Sequence, residues 1–217
     1  RKIYPNIRIN ITDQSTPQAL ESLDRGIVDF VVATSPANIT KHMSLTELTS
    51  INNIMVCGPS FKHLSKTRQH LADLNEYPLI MLERNTMSYA FYNQFYLNNG
   101  ISMRVDTETT TINQVLPMVK YDLGLGFLPE PFVRHDLKSG NVFKIDLYED
   151  IPQRRIVLVQ DTRRPHASLS RILLRMISEK YSCRTTAAAF FIPGSKFYTQ
   201  KINFRIAMNV LPETVFT

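Results

Sequence analysis

The sequence predicts an α/β protein built as two lobes, and three patterns carry that prediction. A strand–helix–strand unit occupies residues 7–33. A hydroxyl-rich turn, an apolar helix and a glycine-bounded strand follow one another across residues 106–133. Two extended stretches, at residues 56–59 and 150–152, are placed to carry the chain out of one lobe and back into it.

Ile7, Ile9 and Ile11 alternate with Arg8, Asn10 and Thr12, the period of a strand with one face inside. Thr16 as cap with Pro17 at the first helical position predicts a helix start. Ala19, Leu20 and Leu23 supply that helix with an apolar face, and Gly26 stops it. The near-continuous apolar run 28–33 marks a strand covered on both faces. A strand–helix–strand crossover makes the sheet parallel.

Residues 48–57 read as extended, interrupted by Asn52 and Asn53, and Gly58-Pro59 breaks the run. A short helix is predicted over 64–74, strands over 79–82 and 103–108, and between them a helix that ends near Gly100. In the central stretch Ile112, Val115, Leu116, Val119 and Leu123 lie on one helical face. Thr109, Thr110 and Thr111 stand where hydroxyls cap free backbone N–H groups. Gly124 stands where a left-handed stop is wanted, and Pro117 predicts a local bend. Residues 125–128 form a brief strand that Pro129 ends. A helix over 132–139, strands over 142–147 and 156–160, and a last helix from Pro165 or Ser168 complete the pattern. From Ser182 onward the pattern changes; residues 202–210 alternate as a strand, and the tail 181–217 receives no function.

The chain of 217 residues is long enough for two small lobes with real cores. Apolar content of 43% and charged content of 20% are those of an ordinary globular protein. No apolar run approaches the roughly 20 residues that span a bilayer. The first residues lack the apolar core of a secretory signal, which favours the cytoplasm. Cys57 and Cys183 are far apart, and neither pairs with His at a metal spacing, so no metal and no cofactor is expected. The net charge of +6 is spread along the chain without a basic helix. It favours anionic small molecules over nucleic acid. No G-x-S-x-G elbow and no P-loop occurs, and Asp122 and Glu130 specify no acid–base pair, so an enzyme is not expected.

The candidate site rests on repetition. Ser15-Thr16, Thr34-Ser35, Thr86-Met87-Ser88 and Thr109-Thr110-Thr111 all follow strands, and three of the four open helices. Taken singly, each hydroxyl reads as a helix cap. Taken together, at the carboxyl ends of parallel strands, they read as the wall of a cleft. Helix starts there offer free N–H groups and a positive dipole end, suited to a carboxylate. The candidates are Ser15, Thr16, Thr34, Ser35, Thr86, Ser88, Thr109, Thr110 and Phe127. Arg84 and Arg134 are weaker candidates for an anion, and Pro36 for the lip of the site; a surface position and a simple turn explain them as well.

Several of these stretches together resemble the effector-binding domain of LysR-type transcriptional regulators. They are "YPNIRI", the capped helix ending in Asp24-Arg25-Gly26, "VDFVVAT", "LADLNEYPLI" and Gly124-Leu125-Gly126-Phe127-Leu128-Pro129. The resemblance covers residues 1–180. It implies two Rossmann-like lobes of the type 2 periplasmic-binding-protein kind, truncated at the N-terminus. Lobe one would take residues 1–57 and 156–180 without its first, central strand, and lobe two residues 58–155. It implies a small, anionic metabolite held between the lobes, with the contacts coming from the loops named above. Binding to DNA would need a helix-turn-helix that this chain lacks, and the full-length protein would be a homo-oligomer, a dimer or a tetramer. The alternative on the same scaffold is the extracytoplasmic solute-binding protein of a transporter.

Overall fold

A computed structural model describes residues 7–35 and 37–164, and the backbone of residues 202–208. Pro36 and the helix expected from Pro165 or Ser168 lie outside the described residues.

Two sheets of five strands form the two lobes. The first holds β1 (Ile7–Asp13), β2 (Phe30–Thr34), β3 (Met43–Ile51), β9 (Arg154–Asp161) and β10 (Ile202–Met208), in the order β1-β10-β2-β9-β3. The second holds β4 (Asn53–Cys57), β5 (Leu79–Leu82), β6 (Thr107–Thr109), β7 (Leu125–Pro129) and β8 (Phe143–Ile145), in the order β6-β5-β7-β4-β8. In the first lobe α1 (Thr16–Asp24) lays Ala19, Leu20 and Leu23 on Val31, Ala33, Val157 and Val159. The second sheet is covered on both faces. Tyr92, Phe95 and Tyr96 of α3 (Met87–Asn98) pack with Phe127 on one side. Val115, Leu116 and Val119 of α4 (Ile112–Lys120) and Val133 of α5 (Glu130–Ser139) pack on the other. Each such buried side chain contributes about 1.5–3 kcal/mol of transfer free energy.

The first crossing falls earlier than residues 56–59. β3 ends at Ile51 in one sheet and β4 starts at Asn53 in the other, so Asn52 makes the crossing. The crossing therefore falls within the polar pair that interrupts the extended run. The return passes through residues 150–153, and Gln153 Nε2 donates to Asn52 Oδ1 at 2.9 Å, tying the two crossings together.

Other differences are local. Residues 64–74 are not one helix but a 3-10 helix, Pro59–Ser65, and a single turn, α2 (Leu71–Leu74). The left-handed residue after α4 is Asp122, at φ 61°, and not Gly124. Asp122 has its own reason to sit there: its carboxylate accepts from Ser60 N at 2.9 Å and Ser60 Oγ at 2.8 Å. Gly124 is needed for space instead, since a Cβ there would stand 2.4 Å from the carbonyl oxygen of Pro78. Leu123 consequently leaves the apolar face and is 48% exposed. At the N-terminus of α1, Ser15 rather than Thr16 is the cap residue, and Thr16 and Pro17 are the first two helical positions. Gly26 does stop this helix, at φ 72°.

An inner place in the first sheet, between β1 and β2, is taken by β10. β10 runs parallel to β1, with Ile7 opposite Ile202 and Asp13 opposite Met208, and parallel to β2, with Ile206 opposite Phe30. The alternation read in residues 202–210 thus becomes a strand where the resemblance to the LysR-type domain leaves a gap for its opening strand.

Candidate functional site

The carboxyl ends of β2 in one lobe, and of β5 and β7 in the other, face a cleft beside the two crossings. A cavity of about 30 Å³ lies in it. Thr34 and Arg154 close it from the first lobe, Asn53 and Pro129 stand beside the crossing, and Leu82, Ser88, Tyr92 and Phe127 close it from the second. At roughly 10–15 Å³ of such space per water, it has room for two or three waters or one carboxylate head.

Three of the nine candidates line this cavity: Thr34, Ser88 and Phe127. Ser35 adjoins it through its carbonyl oxygen, which accepts from Arg154. The other five do not line it. Thr86 is the cap of α3: its Oγ1 accepts from Tyr89 N at 3.1 Å and donates to Glu83 O at 2.7 Å. Thr109 and Thr110 do not cap α4; both hydroxyls donate to Oε1 of Gln114. Thr109 is buried and Thr110 is exposed. Ser15 is joined to Gln18, with its N–H and hydroxyl both donating to Oε1. Thr16 is buried at 1% exposure, and its Oγ1 has no hydrogen-bond partner among the described residues. The mouth of the cleft is nevertheless bridged next to these residues, because Asn113 Nδ2 at the start of α4 donates to Asp13 Oδ2 at the end of β1 at 3.1 Å.

The dominant group of the site is one that the loop pattern does not point to. Arg154, first residue of β9, is 4% exposed. Its Nε donates to Ser35 O in the first lobe at 2.9 Å, and its Nη1 to Ser88 Oγ in the second at 3.0 Å. The guanidinium lies over the Phe91 ring, 4.9 Å from the centroid. Burial lowers its pKa from the ordinary value, while the neighbouring Tyr92 hydroxyl opposes that shift. Arginine still remains a cation at neutral pH. Burial also pushes the Tyr92 phenol well above its usual range, so it stays neutral. A signal for Arg154 does exist in the sequence. Arg154, Ile156 and Leu158 alternate, so they share the inward side of one strand.

Arg84 and Arg134 are both exposed, and Arg84 pairs with Glu108 at 3.0 Å. Neither lines the cavity. Cys57 is buried, with its thiol pushed up to about 12 chiefly by burial, which makes it unreactive at neutral pH.

Two sheets joined by two chain crossings make a two-lobed α/β fold, and the sequence comparison identifies its family. The profile of the family described as LysR substrate binding domain matches residues 1–182, and the chain belongs to that family. It is 23% identical over 183 residues to the HTH-type transcriptional regulator EstR of Acinetobacter baylyi, covering 81% of this chain and 58% of that one. It is 24% identical over 134 residues to the uncharacterized HTH-type transcriptional regulator YwbI of Bacillus subtilis, covering 62% of this chain and 44% of that one. The chain thus spans about half the length of the curated relatives it matches. Among solved structures, the regulatory domain of CcmR from Synechocystis, in complex with 2-PG, superposes with a TM-score of 0.67 at 12% identity, covering 82% of this chain and 99% of that one. That likeness shows the fold, the type 2 periplasmic-binding-protein arrangement.

Proposed function

We propose that this chain is the sensing part of a LysR-type transcription regulator, and that it binds a small metabolite in the cleft between its lobes. The observation that carries this reading is the cavity at the crossings, walled by both lobes and crossed by Arg154. A guest there touches both lobes at once, so its binding energy depends on their relative position. Such a dependence is what a switch requires, because a ligand shifts an equilibrium only by its difference in affinity for the two states. The 2-PG bound to the CcmR domain supports a small guest on this fold. The domain carries out no chemistry on its guest; DNA contact, assembly into dimers or tetramers and a cytoplasmic location belong to the full-length regulator. Residues 7–51 with 154–161 and 202–208 act as lobe one and 53–145 as lobe two.

The alternative, a solute-binding protein of a transporter, shares the cleft. Reading the coding sequence upstream of Arg1 separates the two. A helix-turn-helix is expected there, and a signal peptide in its place would overturn the regulator reading. In binding, Thr34→Val should weaken a metabolite found by calorimetric screening by about 1–2 kcal/mol, the worth of one buried hydrogen bond. Turnover of that metabolite by the chain would point to an enzyme instead.

A further inference from the structure

The cleft carries a more specific signal than its position. Among the described residues, two side-chain donors that line the cavity have no hydrogen-bond partner, Nη2 of Arg154 and Nδ2 of Asn53. Both residues are buried, at 4% and 8% exposure. Among the described residues, no Asp or Glu lines the cavity and Arg154 makes no ion pair with a carboxylate. A buried cation normally has an anionic partner, because the desolvation of a lone charge costs several kcal/mol. The other two donor positions of this guanidinium are already engaged, Nε by Ser35 O and Nη1 by Ser88 Oγ. The ring of Phe91 covers one face. The planar group is therefore held with its third nitrogen unbonded and the Tyr92 hydroxyl beside it, and a ligand would have little side-chain freedom to remove.

Resting on the reading of the cleft as the effector site, we propose that the effector is a carboxylate whose head sits on Nη2 of Arg154 and the side-chain amide of Asn53. The cavity volume has room for such a head. The remainder of the molecule extends toward the mouth between Asp13 and Asn113, and admitting it separates that pair. Phosphate is disfavoured on two counts: it is larger, and its second charge would face a single cation. Arg154 is also the residue whose bonds reach both lobes, so the anion adds its contacts to the group that already joins them.

The test uses crystals of the full chain soaked in sodium bromide, with bromide as a heavy stand-in for the anionic head. An anomalous difference peak is expected in contact with Nη2 of Arg154. Soaking with bromide plus excess sodium acetate should lower it at least several-fold, and R154M crystals should lack it. Absence of a peak at Arg154 in the wild type, or a peak indifferent to acetate, overturns the proposal even if R154M does not fold. Bromide bound only elsewhere on the surface counts against it equally. The two readings fail separately. A neutral metabolite that binds wild type and R154K alike would leave sensing intact and refute the carboxylate. An acetate-sensitive peak at Arg154, in a chain whose regulated promoter responds to no metabolite, would do the reverse.

Discussion

Replacing Ser88 by alanine removes the acceptor that joins the second lobe to Arg154. In the native protein Ser88 is 7% exposed and its hydroxyl lies 3.0 Å from Nη1. Alanine leaves a second nitrogen of the same buried guanidinium without a partner, beside Nη2, which already lacks one. A hydrogen bond to a charged group contributes about 1.5–3 kcal/mol. A water admitted to the cavity, which has room for two or three, would offset part of this loss. For a chain of this size each kcal/mol moves Tm by about 2–4 °C, so the variant should melt roughly 3–12 °C lower. Thermal unfolding followed by far-ultraviolet circular dichroism, with urea titration as a second measure, reads this directly. The double variant with Arg154→Met should be less destabilised than the sum of the two single changes, by about 0.5–3 kcal/mol, since the two groups touch. A Tm for Ser88→Ala within about 1 °C of wild type would mean that this bond does not tie the lobes together.

Three further outcomes follow from other parts of the fold. Ile206→Pro should destabilise the first lobe by about 3 kcal/mol or more, because residue 206 pairs within a strand that has a neighbour on each side; urea unfolding measures it, and an unchanged midpoint would show that β10 is dispensable. Gly124→Ala should cost about 1–3 kcal/mol by overpacking, since its methyl carbon meets the Pro78 carbonyl oxygen at 2.4 Å, a loss that calorimetry would detect. The Asp161 carboxyl is held at about 2, chiefly by hydrogen bonds from the Arg163 side chain, with Arg164 also near. A depressed folded-state pKa gives stability that is complete above the unfolded value, near about 4, and is lost as pH falls toward 2. Asp161→Asn should therefore lower Tm at neutral pH and flatten its fall between about pH 4 and 2; an equally steep acid limb in the variant would assign that limb to other groups.

The sequence made the local features legible. Alternation in residues 7–12, the apolar run before Thr34 and the face of α4 all arise within a few residues, so spacing alone reveals them. The glycine-bounded strand and its neighbours were enough to recognise the family. The site was legible only in outline. The hydroxyl turns lie at the carboxyl ends of strands, yet which hydroxyl faces the cavity depends on which neighbouring group, three to five residues away, each one bonds to, and residue type alone does not reveal that. Gln114 engages Thr109 and Thr110, and Glu83 engages Thr86. Arg154 stands between Gln153 and Arg155, a polar context that locally suggests solvent, and only its two-residue spacing from Ile156 places it inside. The pairing of Ile206 with Phe30 joins residues too far apart along the chain for any local pattern to reveal. The stop after α4 shows the limit of composition rules. Glycine is the usual left-handed residue, but a carboxylate bonded to Ser60 holds Asp122 there at φ 61°.

A sensor of this fold holds its guest between the two lobes. A crystal structure of the chain with a metabolite identified by calorimetric screening examines this most directly. Density is expected against Arg154, Thr34 and Ser88, in contact with both lobes at once. Density on one lobe only, or on the outer surface near His70 and Tyr148, would contradict it.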